Sequence, residues 1–312
     1  MNKTDSILVL GSGGLVGSAI LRELKNNNYT NILHPIRSEL DLLNQKAVQE
    51  YFSKHKPCYV FLAAAKVGGI LANNSYRADF IFENLQIQQN VFNAAFKEKT
   101  QNLLFLGSSC IYPKNAPQPL KEEYLLTSPL EPTNEPYAIA KIAGLKTAES
   151  FRKQYGLHWL SVLPTNLYGI NDNFDLNNSH VIPGLVARLH QAIIKGDKEF
   201  HVWGSGKPRR EFLYVDDMAR ACIFVIQQGR DAPDFVNIGT GQDIEIGELA
   251  QIIASKMGYQ GRLMNDLSKP DGTIKKLLEV SKITSLGWKP IISLNDGLDL
   301  TINYFKNLNR LP

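Results

Sequence analysis

Two side chains with acid–base chemistry, Tyr137 and Lys141, stand four residues apart in the string YAIAK. A spacing of i and i+4 places both on one face of a helix. An ammonium beside a phenol favours the phenolate and lowers its pKa, so the tyrosine can exchange a proton with a carbonyl oxygen near neutral pH. Because such pairs arise often by chance, a further hydroxyl is needed, and Ser108 and Ser109 are candidates at the end of a predicted strand.

A glycine loop, residues 11–17 (GSGGLVG), follows the apolar run SILVL and opens a predicted helix. Glycines at this point allow a tight turn, close approach of backbone N–H groups to a pyrophosphate, and packing of the helix on the strand. This order of elements predicts a dinucleotide site, with a purely structural turn as the alternative. The residues predicted to line it are Gly11, Ser12, Gly13, Gly14, Leu15, Val16 and Gly17.

The residues after the second predicted strand bear on the choice of dinucleotide. About 20 residues beyond the glycine loop, a dinucleotide fold places either an acid for the ribose or an arginine for its 2′-phosphate. Arg37 stands at that distance, and Asp41 lies further along. This position favours NADP over NAD, with a simple surface arginine as the alternative.

Short apolar runs and longer amphipathic segments alternate through the first half of the chain. We predict strands at 6–10, 32–34, 59–63, 103–106 and 159–163, and helices at 14–26, 45–55, 79–96 and 136–155. Strands that alternate with helices at this spacing pair in parallel, because each return requires a crossover. Right-handed crossovers then give an α/β fold with a doubly wound parallel sheet of the Rossmann type.

The alternation ends after about Pro164, where the stretch 166–180 is rich in Asn, Asp and Gly and is predicted to be a loop. Further strands are predicted at 201–203 and 235–239, and helices at 183–195 and 246–257. We therefore predict a dinucleotide-binding domain over 1–165 and a smaller α/β substrate lobe over 166–312. Some later segments are expected to return to the sheet.

Composition excludes several classes of protein. With 312 residues, 44% hydrophobic and 21% charged, the chain can bury a core and is not disordered. A net charge of +4 without a basic arm suits a small anionic ligand and argues against nucleic acid. Three cysteines without metal-ligand spacing indicate reduced thiols in a cytosolic protein and no metal site. Neither a signal peptide nor a run of about 18 apolar residues is found, so no membrane association is expected.

Longer strings give a more specific indication than these short patterns. They are LAAAKVGGILANN (62–74), LGSSCIYPK (106–114), LEPTNEPYAIAKIAG (130–144), PTNLYG (164–169), NSHVIP (178–183), VWGSG (202–206), REFLYVDDMA (210–219) and SKPDGT (268–273). Through them the sequence resembles the extended short-chain dehydrogenase/reductase superfamily and, within it, the GDP-L-fucose synthase family. The resemblance covers nearly the whole chain. Ser108, Tyr137 and Lys141 match the catalytic set of the superfamily.

The resemblance implies an NADPH-dependent 3,5-epimerase and 4-reductase of GDP-4-keto-6-deoxy-mannose. It also implies a cytoplasmic homodimer built from the helices at 79–96 and 136–155. A ketone at C4 acidifies the hydrogens on C3 and C5, and the family's epimerising pair corresponds to Cys110 and His180. A thiol with a lowered pKa is a suitable base, and histidine carries protons near neutrality. Without the resemblance to the family, Cys110 would be interpreted as a small core residue and His180 as a solvated side chain.

Further contacts are carried over from the family by position. The additional residues implied to line the cofactor site are Asp41, Leu42, Leu106, Gly107, Lys141, Pro164, Asn166, Leu167 and His180. Those implied to bind the GDP-sugar are Arg188, Trp203, Arg210 and Asp271. Arg210 is expected to bind the diphosphate, because a guanidinium matches phosphate oxygens at two points. The alternative interpretations are that Trp203 belongs to the core of the smaller lobe and that Arg188 lies on a solvated helix face.

One position departs from the family pattern. Gly13 stands where the family often carries an arginine that helps to bind the 2′-phosphate. This leaves the strength of the preference for NADP over NAD open.

Other functions of the same fold remain as alternatives. A non-catalytic dinucleotide sensor would not need the pair Tyr137 and Lys141. A sugar dehydratase normally has acidic residues at the positions of Ser109 and Cys110. A 4-epimerase that does not act at C3 and C5 would not need the pair Cys110 and His180. The main alternative is a C4 reductase of another GDP-4-keto sugar, such as a heptose, with the epimerase step absent or supplied by a separate enzyme. Nothing in the sequence reports the substituent at C6.

Overall fold

A six-stranded sheet lies at the centre of the computed structural model, which describes residues 1–176, 179–269 and 271–308. Asn178 and Pro270, which belong to two of the strings quoted above, lie outside the described residues. The strands are β1 Ile7–Leu10, β2 Ile32–Leu33, β3 Tyr59–Leu62, β4 Asn102–Leu106, β5 His158–Pro164, β6 Asn166–Tyr168, β7 Glu199–Trp203, β8 Arg209–Tyr214, β9 Phe235–Ile238, β10 Asp243–Glu245, β11 Arg262–Asp266 and β12 Lys275–Lys276. The helices are α1 Leu15–Asn26, α2 Gln45–His55, α3 Ile70–Ser75, α4 Arg77–Lys97, α5 Glu135–Tyr155, α6 Val181–Lys195, α7 Val215–Gln227, α8 Ile246–Met257, α9 Ser281–Ser285 and α10 Leu294–Leu308.

The central sheet has the strand order β2-β1-β3-β4-β5-β9, with every neighbouring pair parallel. Alternate residues of β1 face opposite sides, so Ile7 and Val9 pack with α1 and α7 whereas Leu8 and Leu10 pack with α2, α4 and α5. Both faces of the sheet are thus covered by helices. The predicted doubly wound α/β fold is confirmed.

A second core forms in the later part of the chain, where α6, α8 and α10 pack on two small sheets. In one sheet β8 pairs with β6, β10 and β12, and in the other β7 pairs with β11. Leu189 of α6, Ile253 of α8 and Ile302 of α10 belong to the same buried cluster. The smaller α/β lobe expected from the sequence is therefore present.

The structure corrects some of the predicted elements. Asn166–Tyr168 is strand β6, paired with β8, and not part of a loop. The strand β8 and the helix α7 were not predicted, because the strand runs into the helix at Val215 without a turn residue to mark the change. The helices predicted at 45–55 and 246–257 have the observed bounds.

The buried carboxylate of Glu211 joins the two sheets. Its oxygens accept hydrogen bonds from the backbone N–H groups of Thr240 (2.6 Å), Gly241 (2.7 Å) and Leu278 (2.9 Å). Thr240 and Gly241 follow β9 of the central sheet, whereas Glu211 and Leu278 belong to β8 and to the segment after β12. Glu211 therefore holds the two sheets in a fixed arrangement, with a cleft between them.

Among the described residues, no helix is both long enough and apolar enough to cross a membrane.

Candidate active site

The residues predicted to do chemistry lie at the carboxyl edge of the central sheet. The glycine loop follows β1, Ser108 follows β4, and Pro164 ends β5. In a parallel sheet these ends meet at one edge, where ligands of doubly wound folds bind. The structure thus brings together segments that are far apart in sequence.

The glycine loop has the shape that a pyrophosphate requires. Gly14 precedes α1 in extended conformation, no side chain caps the helix, and its first turn holds no acidic residue. The first N–H groups of a helix have no partner within it and carry a partial positive charge. A Cβ on Gly17 would lie 2.1 Å from the Gly11 carbonyl oxygen, so only glycine permits this packing. The loop therefore fits the phosphates of a dinucleotide.

Arg37 lies in the segment after β2, next to the glycine loop. Ser12 connects the two segments, because its hydroxyl donates to the His34 carbonyl oxygen at 3.1 Å. The Arg37 side chain is exposed and has no hydrogen-bond or ion-pair partner within the described ranges. By contrast, the Asp41 carboxylate accepts from the N–H of Leu43 at 3.1 Å and so caps its own turn. A free guanidinium at this position suits a phosphate better than a neutral ribose.

The other residues carried over for the cofactor lie along the same edge. The carbonyl oxygen of Leu42 accepts from Asn90 at 2.8 Å, and the amide of Asn166 donates to the Glu211 carbonyl at 2.8 Å. A Cβ on Gly107 would lie 2.4 Å from a methyl group of Leu163. These contacts set the backbone path along the edge. Leu167 is half-buried against the central core.

Tyr137 and Lys141 share one face of α5, as the spacing predicts. Lys141 is 3% exposed, donates to the Leu106 carbonyl oxygen at 2.7 Å, and lies 5.7 Å from the centre of the Tyr137 ring. Burial lowers the Lys141 pKa to about 7. The Ser108 hydroxyl lies close enough to the Tyr137 phenol to lower its pKa, against the larger effect of burial. The Ser–Tyr–Lys set is therefore assembled.

The acidity of Tyr137 differs from the expectation that the neighbouring lysine lowers its pKa. Burial raises the pKa of the phenol, the nearby Cys110 raises it further, and the hydrogen bond from Ser108 opposes both only in part. The Lys141 ammonium is directed at the Leu106 carbonyl instead of the phenol. The phenol is thus held protonated, which is the form that can donate a proton.

Cys110 lies in a short 3-10 helix, Ser109–Ile111, directly after β4. Its N–H donates to the Ser108 hydroxyl at 3.1 Å, and its sulfur accepts from the Lys276 ammonium at 3.4 Å. Burial raises the pKa of the thiol, but Lys276, Ser108 and Arg210 together outweigh burial and lower it below its usual range. This thiol therefore has the electrostatics of a base, in contrast to Cys222, whose burial raises its pKa above the usual range.

His180 directly precedes α6; the residue is exposed, and its side chain caps no helical N–H group. Desolvation lowers the pKa of the imidazole, and the charge of Lys276 lowers it further. The charge of Lys276 therefore acts on both residues proposed to carry protons.

Arg210 extends from β8 into the same region. Its guanidinium donates to the carbonyl oxygens of Arg209 (2.8 Å) and Thr273 (2.6 Å), and a Cβ on Gly272 would lie 2.9 Å from it. Asp271 does not face Arg210, because its carboxylate accepts from the N–H (2.8 Å) and hydroxyl (2.7 Å) of Ser205. Asp271 therefore joins its loop to the VWGSG segment.

Arg188 and Trp203 form a second group, on the smaller lobe. The Arg188 guanidinium stacks 4.4 Å from the centre of the Trp203 ring and donates to the His201 carbonyl oxygen. Trp203 is 49% exposed, so it is not core. An exposed indole supported by a guanidinium is a stacking surface for an aromatic base.

Sequence reasoning missed Lys276. It lies in the string TIKKLLE, where two adjacent lysines show no periodicity and match none of the quoted motifs. Only the pairing of β12 with β8 reveals that this lysine lies beside Arg210.

A dinucleotide loop and a Ser–Tyr–Lys set at the carboxyl edge of a doubly wound sheet define the short-chain dehydrogenase class of oxidoreductases. Residues 7–239 match the NAD dependent epimerase/dehydratase family. The chain is 54% identical to GDP-L-fucose synthase 1 of Arabidopsis thaliana over 98% of its length and 95% of that protein. It is 50% identical to the GDP-L-fucose synthase of Escherichia coli over 96% of both chains.

Among solved structures, a GDP-mannoheptose C4 reductase from Campylobacter jejuni with NADP bound superposes with a TM-score of 0.90. It is 37% identical to this chain, and the match covers 98% of this chain and 99% of the other. The chain belongs to the NAD dependent epimerase/dehydratase family and, within it, to the GDP-L-fucose synthase family.

The buried Lys141 makes stability depend on pH. Its pKa is about 7 in the folded protein and near 10.5 when unfolded, so the unfolded chain binds the extra proton and stability rises from about pH 7 to about pH 10. Without cofactor, Lys141→Met should stabilise the protein at pH 7 by about 2–3 kcal/mol. The free energy gained by no longer burying a charge is larger than the free energy lost with the hydrogen bond to Leu106. Denaturant unfolding at pH 7 and pH 9.5 measures this.

The matched control is Lys146→Met on the same helix, whose ammonium is partly exposed and pairs with Glu149. This variant should keep the wild-type dependence on pH. A Lys141→Met variant that kept the same dependence would show that Lys141 is not the group responsible.

Proposed function

We propose that this protein is an NADPH-dependent 3,5-epimerase and 4-reductase that converts GDP-4-keto-6-deoxy-mannose to GDP-L-fucose. The observation that carries the proposal is the assembly of two kinds of acid–base group at one edge of the sheet. Ser108 and Tyr137 can serve a carbonyl oxygen, and Cys110 beside Lys276 can remove a proton from a neighbouring carbon. Relatives at 50–54% identity named as GDP-L-fucose synthases support the substrate.

The cofactor is NADPH, which when bound supplies the hydride for C4 of the sugar. The N–H groups that open α1 would hold its pyrophosphate, and Arg37 would hold the 2′-phosphate, since its guanidinium has no other partner in the described part of the chain. A Cβ added at Gly13, where the family often has arginine, would meet no atom of the described residues within 4 Å, so this position leaves open space. Recognition of the 2′-phosphate therefore depends on Arg37.

Epimerisation needs a base, an acid and stabilisation of an enolate. The Cys110 sulfur takes the proton from C3, and in a second round from C5, while Ser108 and Tyr137 donate hydrogen bonds to the C4 oxygen as negative charge develops on it. His180 returns a proton to the opposite face of the same carbon. Between the two rounds Cys110 releases its proton to solvent and His180 takes one from solvent. The lowered pKa of His180 makes its imidazolium a stronger acid and a smaller fraction of the residue at neutral pH.

Reduction uses the same oxygen donors. As C4 becomes tetrahedral, the Tyr137 phenol transfers its proton to the new alkoxide, and its raised pKa ensures that the proton is present at neutral pH. Lys141, buried behind the ring, stabilises the phenolate that remains until it is protonated again. Tyr137 therefore serves both reactions.

The GDP moiety would lie along the smaller lobe. Arg210 would bind the diphosphate with its guanidinium, and Trp203 with Arg188 would stack on the guanine. Asp271 is proposed to border the same site through the loop that it ties to Ser205. We propose the division into a cofactor part, 1–165, and a substrate part, 166–312, on this basis.

The second candidate is C4 reduction of another GDP-4-keto sugar, such as a heptose, without epimerisation. It is favoured by the structural similarity to the GDP-mannoheptose C4 reductase at 37% identity. The presence of a thiol with a lowered pKa favours the first candidate.

We also propose a cytoplasmic homodimer that buries the outer faces of α4 and α5. These helices pack on each other and leave large apolar side chains exposed, among them Phe82 at 67% and Ile139 at 42%. Exposed apolar surface of this kind marks an interaction face. The three free thiols suit a reducing compartment.

The experiment that tests the function is turnover of NADPH with a panel of GDP-4-keto sugars in D₂O, with NMR of the products. We expect the 6-deoxy-mannose substrate to give GDP-L-fucose with deuterium at C3 and C5. Preferred turnover of a heptose without deuterium would establish the second candidate instead.

Tyr137→Phe should abolish reduction while NADPH binds normally. Removing a general acid costs about 10²–10⁴-fold in turnover, and the phenol acts in the transition state, not in cofactor binding. Steady-state rates and the NADPH dissociation constant measure the two effects. Tyr155→Phe, at the exposed far end of the same helix, is the control and should behave as wild type. Substantial turnover in Tyr137→Phe would remove this residue from the acid role.

Arg37→Ala should weaken NADPH much more than NADH. Loss of one charge-assisted contact to a phosphate costs about 1.5–3 kcal/mol, which is roughly ten- to hundredfold in affinity. NADH, which lacks the 2′-phosphate, is the internal control for a general disturbance of the loop. Equal losses for both cofactors would show that Arg37 does not read the phosphate.

A further inference from the structure

The contact between Lys276 and Cys110 joins the last strand of the smaller lobe to the end of β4. The ammonium lies 3.4 Å from the sulfur. Both residues line a small cavity that Lys275, Lys114 and Glu131 also border. Lys276 therefore lies directly beside the group proposed to act as the base.

The strand β12 determines which of two adjacent lysines contacts the Cys110 sulfur. Lys275 is paired with Arg209 and Lys276 with Arg210 in the parallel ladder. Successive side chains of a strand point to opposite faces. Lys275 accordingly forms an ion pair with Asp243 at 3.1 Å, whereas Lys276 points to Cys110. Lys275 therefore has a structural contact, whereas Lys276 contacts the thiol that is proposed to act as the base.

The segment around β12 is held in place from both parts of the molecule. The N–H of Leu277 donates to the side chain of Gln118 at 2.9 Å, and the N–H of Leu120 donates to the Leu277 carbonyl at 2.8 Å. The buried Glu211 accepts from the N–H of Leu278 at 2.9 Å. Residues 118–120 follow Cys110 in the chain, so these bonds fix the Lys276 backbone relative to the thiol.

The charges around the sulfur favour its anionic form. Lys276 on β12 and Arg210 on β8 lower the pKa of the thiol and Ser108 adds a hydrogen bond, against the opposing effect of burial. Tyr137 on α5 faces the sulfur as a neutral phenol, and His180 before α6 has a pKa lowered in part by Lys276. The other charged residues of this cavity are paired with each other or with a neighbour: Glu131 with Lys114 at 3.0 Å, and Lys275 with Asp243 at 3.1 Å.

We propose that Lys276 is a positioning residue for epimerisation, and that its ammonium holds the Cys110 sulfur as a thiolate before the substrate proton is removed. The proposal rests on the proposed function, in which Cys110 is the base. When the thiolate takes a proton from C3 or C5, the sulfur becomes a neutral thiol, and the electron pair of the C–H bond moves into the enolate at C4. Lys276 keeps its proton throughout.

The test is the pH profile of alkylation of Cys110 by iodoacetamide in the NADPH complex. A Cys58→Ser background removes the exposed thiol, and the buried Cys222 is protected. The midpoint of the profile is the quantity to compare, because the rate at one pH also depends on the intrinsic nucleophilicity of each thiolate. We expect Lys276→Met to raise the midpoint by about 1–3 pH units.

Two further variants separate the charge of Lys276 from its packing. Lys275→Met removes the adjacent lysine and should leave the midpoint unchanged, and Lys276→Arg should restore it close to the wild-type value. An unchanged midpoint in Lys276→Met would overturn the proposal. So would an equal rise in Lys275→Met, since that would reflect general displacement of β12.

Deuterium incorporation at C3 and C5 distinguishes this proposal from the function on which it rests. We expect Lys276→Met to lose at least about tenfold in incorporation at pH 7 and to regain part of it at higher pH, where the thiol ionises unaided. A raised midpoint with wild-type incorporation at pH 7 would overturn the catalytic role of Lys276. If incorporation is also unchanged when Cys110 is removed, the failure lies in the proposed base.

Discussion

The carboxylate of Glu211 is the interaction on which the geometry of the cleft depends. It is completely buried, and its oxygens bind N–H groups of the loop after β9 and of the segment after β12. The central sheet carries Ser108, whereas the smaller sheet carries Arg210 and Lys276. A carboxylate without solvent is stable only while its hydrogen bonds are made, so the two sheets are held in one arrangement.

This arrangement lets one cleft carry out two reactions on one carbonyl group. Epimerisation and reduction both place negative charge on the C4 oxygen, and in the proposed mechanism the hydroxyls of Ser108 and Tyr137 donate hydrogen bonds to that oxygen in both reactions. The two reactions differ in the group that exchanges the proton, and the surroundings of the two groups give them different pKa values. The phenol is desolvated and stays protonated, and the Cys110 thiol, although desolvated too, is surrounded by cations that favour its ionised form.

Local patterns were enough to predict the fold and part of the site. The glycine loop, the Tyr137–Lys141 spacing and the strand–helix alternation each act over a few residues, so they can be read from the sequence. The pKa of Tyr137 and the role of Lys276 could not, because both arise from segments that meet only in the folded chain. Lys276 approaches Cys110 across 166 residues, through a two-residue strand with no sequence signal.

We infer that Cys110 removes the protons and that Tyr137 supplies the proton for reduction. The most direct measurement is NMR of the product that Cys110→Ser forms from GDP-4-keto-6-deoxy-mannose and NADPH in D₂O. An alcohol does not ionise near neutral pH, so we predict a sugar reduced at C4 but not inverted at C3 and C5, without deuterium at either carbon. GDP-L-fucose formed with deuterium at the wild-type rate would contradict the claim, because the base would then lie elsewhere.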